Sequence, residues 1–244
     1  MRYAVLSDIH ANLEAFRAVL TRIAQLGADR IVCLGDVVGY NADPNECVDL
    51  VRSEGIVCVM GNHDSSACGI EGTDSFNPTA RAAVLWTREV LTAENRAFLQ
   101  GLPRRLQIND MVLCHGSINE TDQYLFEESD VRENFAVMET LPNSPQVCFY
   151  GHTHMKAAYG LSGGVLARVL SDKALLAGGT RYLINPGGVG QPRDGDPQAP
   201  FLIYDTMEST IVFHRVECDI AACQRKILRA GLPARLAERL PLGR

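Results

Sequence analysis

The sequence predicts an α/β fold, and three observations carry that prediction. Short apolar runs alternate with helical-period segments over roughly the first sixty residues. Strand-like runs separated by Gly-rich turns then dominate the second half. Residue types that hold metal ions stand directly after successive strand-like runs, where an open α/β sheet gathers its functional groups.

Taken in order, residues 2–6 form an apolar run ending at Ser7-Asp8, and residues 12–26 place Leu13, Phe16, Val19, Leu20 and Ile23 at helical spacing before Gly27. Residues 31–34 form a second apolar run. Asp43-Pro44-Asn45-Glu46 then predicts an N-cap, a proline at the first helical position and a capping-box glutamate for a helix of about ten residues. Residues 56–60 complete a β-α-β-α-β rhythm, which implies parallel strands joined by right-handed crossovers. Residues 65–103 read as helical, with Thr92 as a cap, and form a candidate helical lid insertion. Residues 105–109 and 111–115 predict a hairpin around Asn109-Asp110, and residues 147–150 a buried strand. Further strands are expected at 157–161, 165–170, 182–184, 201–204 and 210–216. No repeat or linker interrupts the chain, so residues 1–244 are read as a single domain.

Composition narrows the function. With 46% hydrophobic and 21% charged residues, the chain has a globular composition, not a disordered or collagenous one. No apolar run approaches the ~18 residues of a membrane span, and Asp8 interrupts the N-terminus before a signal-like apolar region forms. A cytoplasmic location is expected. The eight cysteines include no C-x-x-C pair, and Cys33, Cys58, Cys114 and Cys148 sit inside apolar runs as small hydrophobes. A net charge of −6 makes nucleic acid an unfavourable partner and demands a device for holding any anionic substrate. Residues 219–244 are locally basic, with six basic and two acidic side chains, and read as the solvated face of C-terminal helices.

The candidate device lies at the strand ends. Five of the six histidines stand there, in Ser7-Asp8-Ile9-His10, Gly61-Asn62-His63-Asp64, His115-Gly116 and Gly151-His152-Thr153-His154, together with Gly35-Asp36. In extended backbone alternate side chains share a face, which would point Asp8 with His10, and His152 with His154, into one cleft. Cys114, adjacent to His115, should face the other way. Seven candidate ligands result: Asp8, His10, Asp36, Asn62, His115, His152 and His154. With Asp36 bridging, they would supply four bonds to each of two divalent or trivalent metal ions. Imidazole and carboxylate ligands without thiolate suit manganese, iron or zinc, and manganese is the expected occupant.

These blocks together resemble the signature of calcineurin-like metallophosphoesterases, and residues 39–46 and 185–197 resemble loops of that family's small prokaryotic branch. The resemblance implies a four-layer α/β/β/α sandwich with a dinuclear centre. It also implies that Asp8, His10, Asp36 and His154 hold one metal, and that Asp36, Asn62, His115 and His152 hold the other. The protein Ser/Thr phosphatase branch carries Gly-Asp-x-x-Asp-Arg-Gly, whereas this chain reads Gly35-Asp36-Val37-Val38-Gly39-Tyr40-Asn41. The phosphate-binding arginine of that branch is therefore missing, and Arg193 becomes the candidate substrate-binding residue.

The expected activity is hydrolysis of a phosphate ester, with a phosphodiester first in order, by a hydroxide held between the metals. His63 would donate the leaving-group proton, and Asp64 would hold its imidazole. The substrate would be a small phosphorylated compound or nucleotide. Dinucleoside polyphosphate hydrolysis and phosphomonoester hydrolysis are the alternatives. A non-catalytic interaction scaffold on the same fold would lack several ligands or the acid, and here all are present. Nothing in the sequence indicates the oligomeric state.

Overall fold

Strand β1 (Arg2–Leu6) explains how the layers arise. Successive strand side chains point to opposite faces, so Ala4 and Leu6 join one core while Tyr3 and Val5 join another. The same division runs through the computed structural model, which describes residues 1–244. One mixed sheet has the order β3 (Val57–Cys58), β2 (Arg30–Cys33), β1, β11 (Ala199–Asp205), β12 (Thr210–Val216), β9 (Lys173–Leu175). The other has the order β4 (Arg105–Ile108), β5 (Met111–Cys114), β6 (Val147–Phe149), β10 (Arg181–Asn185), β7 (Ala157–Ser162), β8 (Val165–Arg168).

The core between the sheets contains Val5, Val32 and Leu202 from the first and Leu113, Phe149 and Ile184 from the second. Outside the first sheet, Leu6, Cys33 and Phe201 pack against α1 (Leu13–Leu26) and α2 (Pro44–Ser53) through Phe16, Val19, Val48 and Val51. Outside the second, Val112, Cys148 and Leu183 pack against Val131, Phe135 and Met138 of α6 (Glu128–Thr140). These are the four layers of an α/β/β/α sandwich. The helices α3 (Asn62–Ala67), α4 (Pro78–Val90) and α5 (Ala93–Gln100) fill the segment between the sheets in sequence, and α7 (Ile220–Arg229) and α8 (Ala234–Arg239) close the chain. No helix is long and apolar enough to cross a membrane.

The local expectations mostly describe this structure, with instructive differences. Asn12 caps α1 by accepting from Ala15 N–H, and Gly27 ends it in the left-handed conformation at φ 69°. Thr92 caps α5 in the same manner. Asp43 makes no cap to α2; Lys226 donates to its carboxylate at 2.8 Å instead. A tertiary ion pair displaces the local cap. The second half is less purely β than expected, because α6 lies at 128–140, where Val131, Phe135 and Met138 carried a helical period within an acidic surface. The three-residue edge strand β9 was likewise unread.

Strands β1, β2 and β3 are mutually parallel, as are β5, β6 and β10. Their carboxyl ends therefore open on a common edge, and the segments beyond them converge there.

Candidate metal centre

All seven candidate ligands meet at that edge. Asp8, His10 and His154 form one group, and Asp36, His115 and His152 another, with the potential ligand atoms of each group within 4.8 Å of one another. Asp36 also groups with His10 and His63, which links the two groups through His10. Six of these seven residues are buried, and Asn62, the first residue of α3, is half-buried.

The backbone route to this convergence differs from the extended chain predicted. Asp8, His10, Asp36, His152 and His154 all have positive φ, between 48° and 64°, in the left-handed region that non-glycine residues rarely occupy. Ala11 and Tyr40 join them. Such strain persists only where surrounding contacts over-determine it. Here Asp8 N–H donates to Gly35 O at 3.0 Å, His10 N–H to Asp36 O at 2.8 Å and Ala11 N–H to Val37 O at 2.8 Å. The ladder between β1 and β2 thus continues into the loops and twists the side chains into one pocket. Glycine is obligatory at Gly61 and Gly151, where a Cβ would stand 2.0 Å from Asp36 Oδ1 and 1.9 Å from Ser7 Oγ.

Each of the four candidate ligand histidines is oriented by a main-chain carbonyl. Nδ1 of His10, His115 and His154 lies 3.0, 2.8 and 2.6 Å from the carbonyl oxygens of Val38, Leu34 and Gln191. His152 uses the other nitrogen, with Nε2 3.0 Å from Asp122 O. A carbonyl only accepts, so the bonded nitrogen carries the proton and the opposite nitrogen of a neutral ring presents its lone pair. This is the usual way a protein readies an imidazole for a metal. It leaves Nε2 of His10 and Nε2 of His154 facing each other at 3.1 Å, two acceptors with no donor between them.

The carboxylates follow the same logic. Asp8 Oδ2 accepts from His152 N–H at 3.1 Å, and Asp36 Oδ1 accepts from His63 N–H at 2.9 Å. Their other oxygens, Asp8 Oδ1 and Asp36 Oδ2, have no hydrogen-bond partner, and neither do Asn62 Oδ1 and His115 Nε2. Unsatisfied buried acceptors are costly. The orphaned set is the donor set of a cation site, so the residues fit the implied metals.

Burial holds the pKa of His10 and His154 well below the ordinary value, and that of His152 down at about 3. His115 departs from this pattern. Burial opposes its charge, but the carboxylates of Asp36, 3.2 Å from Nε2, and of Asp8 outweigh burial and raise it to about 10. Burial also pushes the Asp8 carboxyl up to about 6.

His63 lies over the same pocket, with its ring 4.8 Å from His10, 4.4 Å from Tyr40 and 4.7 Å from Phe76. Its Nδ1 has no partner, and burial lowers its pKa to about 4. The expectation that Asp64 holds this imidazole is corrected by the structure. Asp64 is buried in the first turn of α3, where Oδ1 accepts from Val38 N–H and Oδ2 from Gly61 N–H, both at 3.1 Å. With both oxygens engaged by backbone, Asp64 secures the loops carrying Asp36 and Asn62.

Arg193 reaches the pocket from the β10–β11 connection. Its Nη2 donates to Tyr40 Oη at 3.2 Å and to Gln191 Oε1 at 3.3 Å, its guanidinium lies over the Tyr40 ring, and its Nε is buried without a partner. The pocket holds about 130 Å³, and sequence reasoning missed Tyr40, Phe76 and Tyr124 in its wall. Tyr124 packs its ring 4.0 Å from that of His152. The wall also shows that the segment read as a lid contributes Ser75, Phe76, Asn77 and Ala80. No chain-local pattern marked these residues, since only long-range packing brings them to the metal-ligand cluster.

Comparison with known proteins agrees with the fold. Residues 1–209 match the model of the calcineurin-like phosphoesterase superfamily domain. The chain is 40% identical over 247 residues to the uncharacterized protein MJ0912 of Methanocaldococcus jannaschii, covering 99% of this chain and 98% of that one. It is 26% identical over 224 residues to phosphodiesterase YfcE of Escherichia coli K12, covering 88% and 93%. The crystal structure of a metallophosphoesterase from Sphaerobacter thermophilus superposes with a TM-score of 0.85 at 38% identity, covering 100% and 99%.

Proposed function

Since the chain belongs to the calcineurin-like phosphoesterase superfamily, we propose that it is a dinuclear metal-dependent phosphodiesterase acting on a small phosphorylated or nucleotide substrate. The observation that carries this reading is the confrontation of His10 Nε2 and His154 Nε2 beside the unpartnered oxygens of Asp8, Asp36 and Asn62. Asp8, His10, Asp36 and His154 would hold one cation, and Asp36, Asn62, His115 and His152 the other, with manganese the favoured occupant. When bound, two such cations supply Lewis acidity toward the phosphoryl oxygens and activation of the attacking water.

The remaining work falls to the chain itself. The Arg193 guanidinium, fixed against Tyr40, would orient one phosphoryl oxygen by a charge-assisted hydrogen bond. His63, whose ring lines the pocket, would carry the proton to the departing oxygen. Tyr40, Phe76 and Tyr124 would exclude water from the pocket wall. A diester is favoured over a monoester because one arginine serves the pocket where the Ser/Thr phosphatase branch has an additional one in its Gly-Asp-x-x-Asp-Arg-Gly block. A singly charged phosphate needs less neutralisation than a doubly charged one. The named activity of YfcE supports the same choice.

The test is a substrate panel with protein stripped by chelator and reloaded with Mn²⁺. Bis(p-nitrophenyl) phosphate should be hydrolysed faster than p-nitrophenyl phosphate or diadenosine polyphosphates. A preference for either of the latter would replace the diesterase reading, and no metal-dependent turnover of any of them would remove the enzymatic one.

A further inference from the structure

The basic C-terminal segment is not simply a solvated face. Lys226 pairs with Glu14 and Asp43, but Arg235, Arg239 and Arg244 turn toward a recess of about 700 Å³ beside the candidate metal pocket. Tyr40 and Asn77 line both spaces and form the partition between them. None of the three guanidiniums is paired with an Asp or Glu, although Arg239 Nε donates to the Arg244 main-chain oxygen, whereas Arg52, Arg104, Arg132, Arg181 and Arg215 each hold a carboxylate. Glu238 is the acidic residue lining the recess, so arginines outnumber carboxylates there.

A second recess adjoining the candidate metal pocket has the reverse polarity. This recess of about 240 Å³ on the Asn62 side is lined by Asp74 and Asp122, together with Glu71, which Arg104 holds. An extended anion placed across the catalytic pocket is thus repelled on one side and attracted on the other. The catalytic pocket, at about 130 Å³, is several times smaller than the basic recess, so most of a nucleotide-sized substrate must lie outside it.

We propose that the recess formed by Tyr40, Asn77, Arg235, Arg239 and Arg244 is a second anion subsite, which binds a further phosphate group of the molecule whose ester is cleaved. The substrate class is accordingly one with two phosphate groups, a nucleoside bisphosphate ester being the simplest. This rests on the phosphodiesterase reading for the identity of the first site. Burial and the nearby charge of Arg193 both lower the pKa of Arg239, which places the two guanidiniums within each other's field. An anion spanning both sites relieves that repulsion. Arg193, sharing Tyr40 with the recess, links the two halves.

The test is titration calorimetry of the Mn²⁺-loaded full chain with thymidine 5′-phosphate and thymidine 3′,5′-bisphosphate. Charge-assisted hydrogen bonds to the second phosphate should make the bisphosphate bind roughly tenfold to a hundredfold more tightly. Arg235→Glu and Arg239→Gln should each erase most of that ratio. Arg235 is exposed, so its replacement leaves the cores intact. Equal affinity of the two ligands for the unmodified protein, or a ratio undiminished in Arg235→Glu, overturns the subsite. Binding is read without turnover, which separates the two proposals. A preference for the bisphosphate without hydrolysis of any diester keeps the subsite and rejects the phosphodiesterase reading. Hydrolysis of bis(p-nitrophenyl) phosphate without the preference does the converse.

Discussion

The main-chain N–H of His63 donates to Asp36 Oδ1 at 2.9 Å. The candidate proton donor and the carboxylate proposed to bridge the two metals are therefore tied together, although 27 positions separate them. Because the bond comes from backbone, it survives replacement of the His63 side chain, and chemistry can be tested apart from metal binding.

His63→Ala should lower kcat by roughly 10²–10⁴-fold for esters with poor leaving groups while metal content stays intact. The loss should be smallest for p-nitrophenyl esters, whose leaving group departs without a proton. Steady-state rates across a leaving-group series decide the matter, and a uniform loss would exclude His63 as the acid.

Asp36→Asn should weaken both metals together. Its Oδ2 is unpartnered and stands 3.5 Å from His10 Nε2 and 3.2 Å from His115 Nε2. Plasma spectrometry after dialysis should find both equivalents reduced. Retention of one full equivalent would assign Asp36 to a single metal.

Metal loading should release a proton. At pH 7 the metal-free protein carries neutral His10, His152 and His154, whose pKa values burial depresses, but a charged His115, raised to about 10. A metal must displace the His115 proton at any pH below that value. Affinity should therefore fall as pH falls, by roughly tenfold per unit between about pH 7 and 10 for one displaced proton. Calorimetry in buffers of different ionisation heat counts the proton directly. A count of zero at pH 7 would show that His115 is already neutral in the metal-free protein.

Asp64→Asn should destabilise the fold by about 1–3 kcal/mol, since an amide accepts through one oxygen only and leaves Val38 N–H or Gly61 N–H unpaired. The pH profile of kcat should keep its shape, because Asp64 does not touch the His63 ring. Denaturant melts and pH–rate curves measure the two effects, and a displaced acidic limb with unchanged stability would return Asp64 to the role of orienting the imidazole.

The sequence by itself determined those features that depend on neighbours along the chain. The period of Leu13, Phe16, Val19 and Ile23 requires a helix with one apolar face, and Asn12 and Gly27 bound it. Alternation in β1 decides which residues face which core. Parallel strands carry whatever follows them to one edge, so histidines and aspartates placed after successive strands had to meet. Tertiary structure alone decided what those side chains do on arrival. The left-handed backbone of Asp8 and His10, the carbonyls that fix the imidazole tautomers, the diversion of Asp43 to Lys226 and of Asp64 to backbone N–H groups all join distant segments. So do the walls supplied by Phe76 and Tyr124 and the turn of Arg239 toward the recess. Local pattern encodes the preferences of a segment in isolation. A hydrogen bond or ion pair between remote segments overrides them once burial has removed the water that would otherwise compete for the same groups.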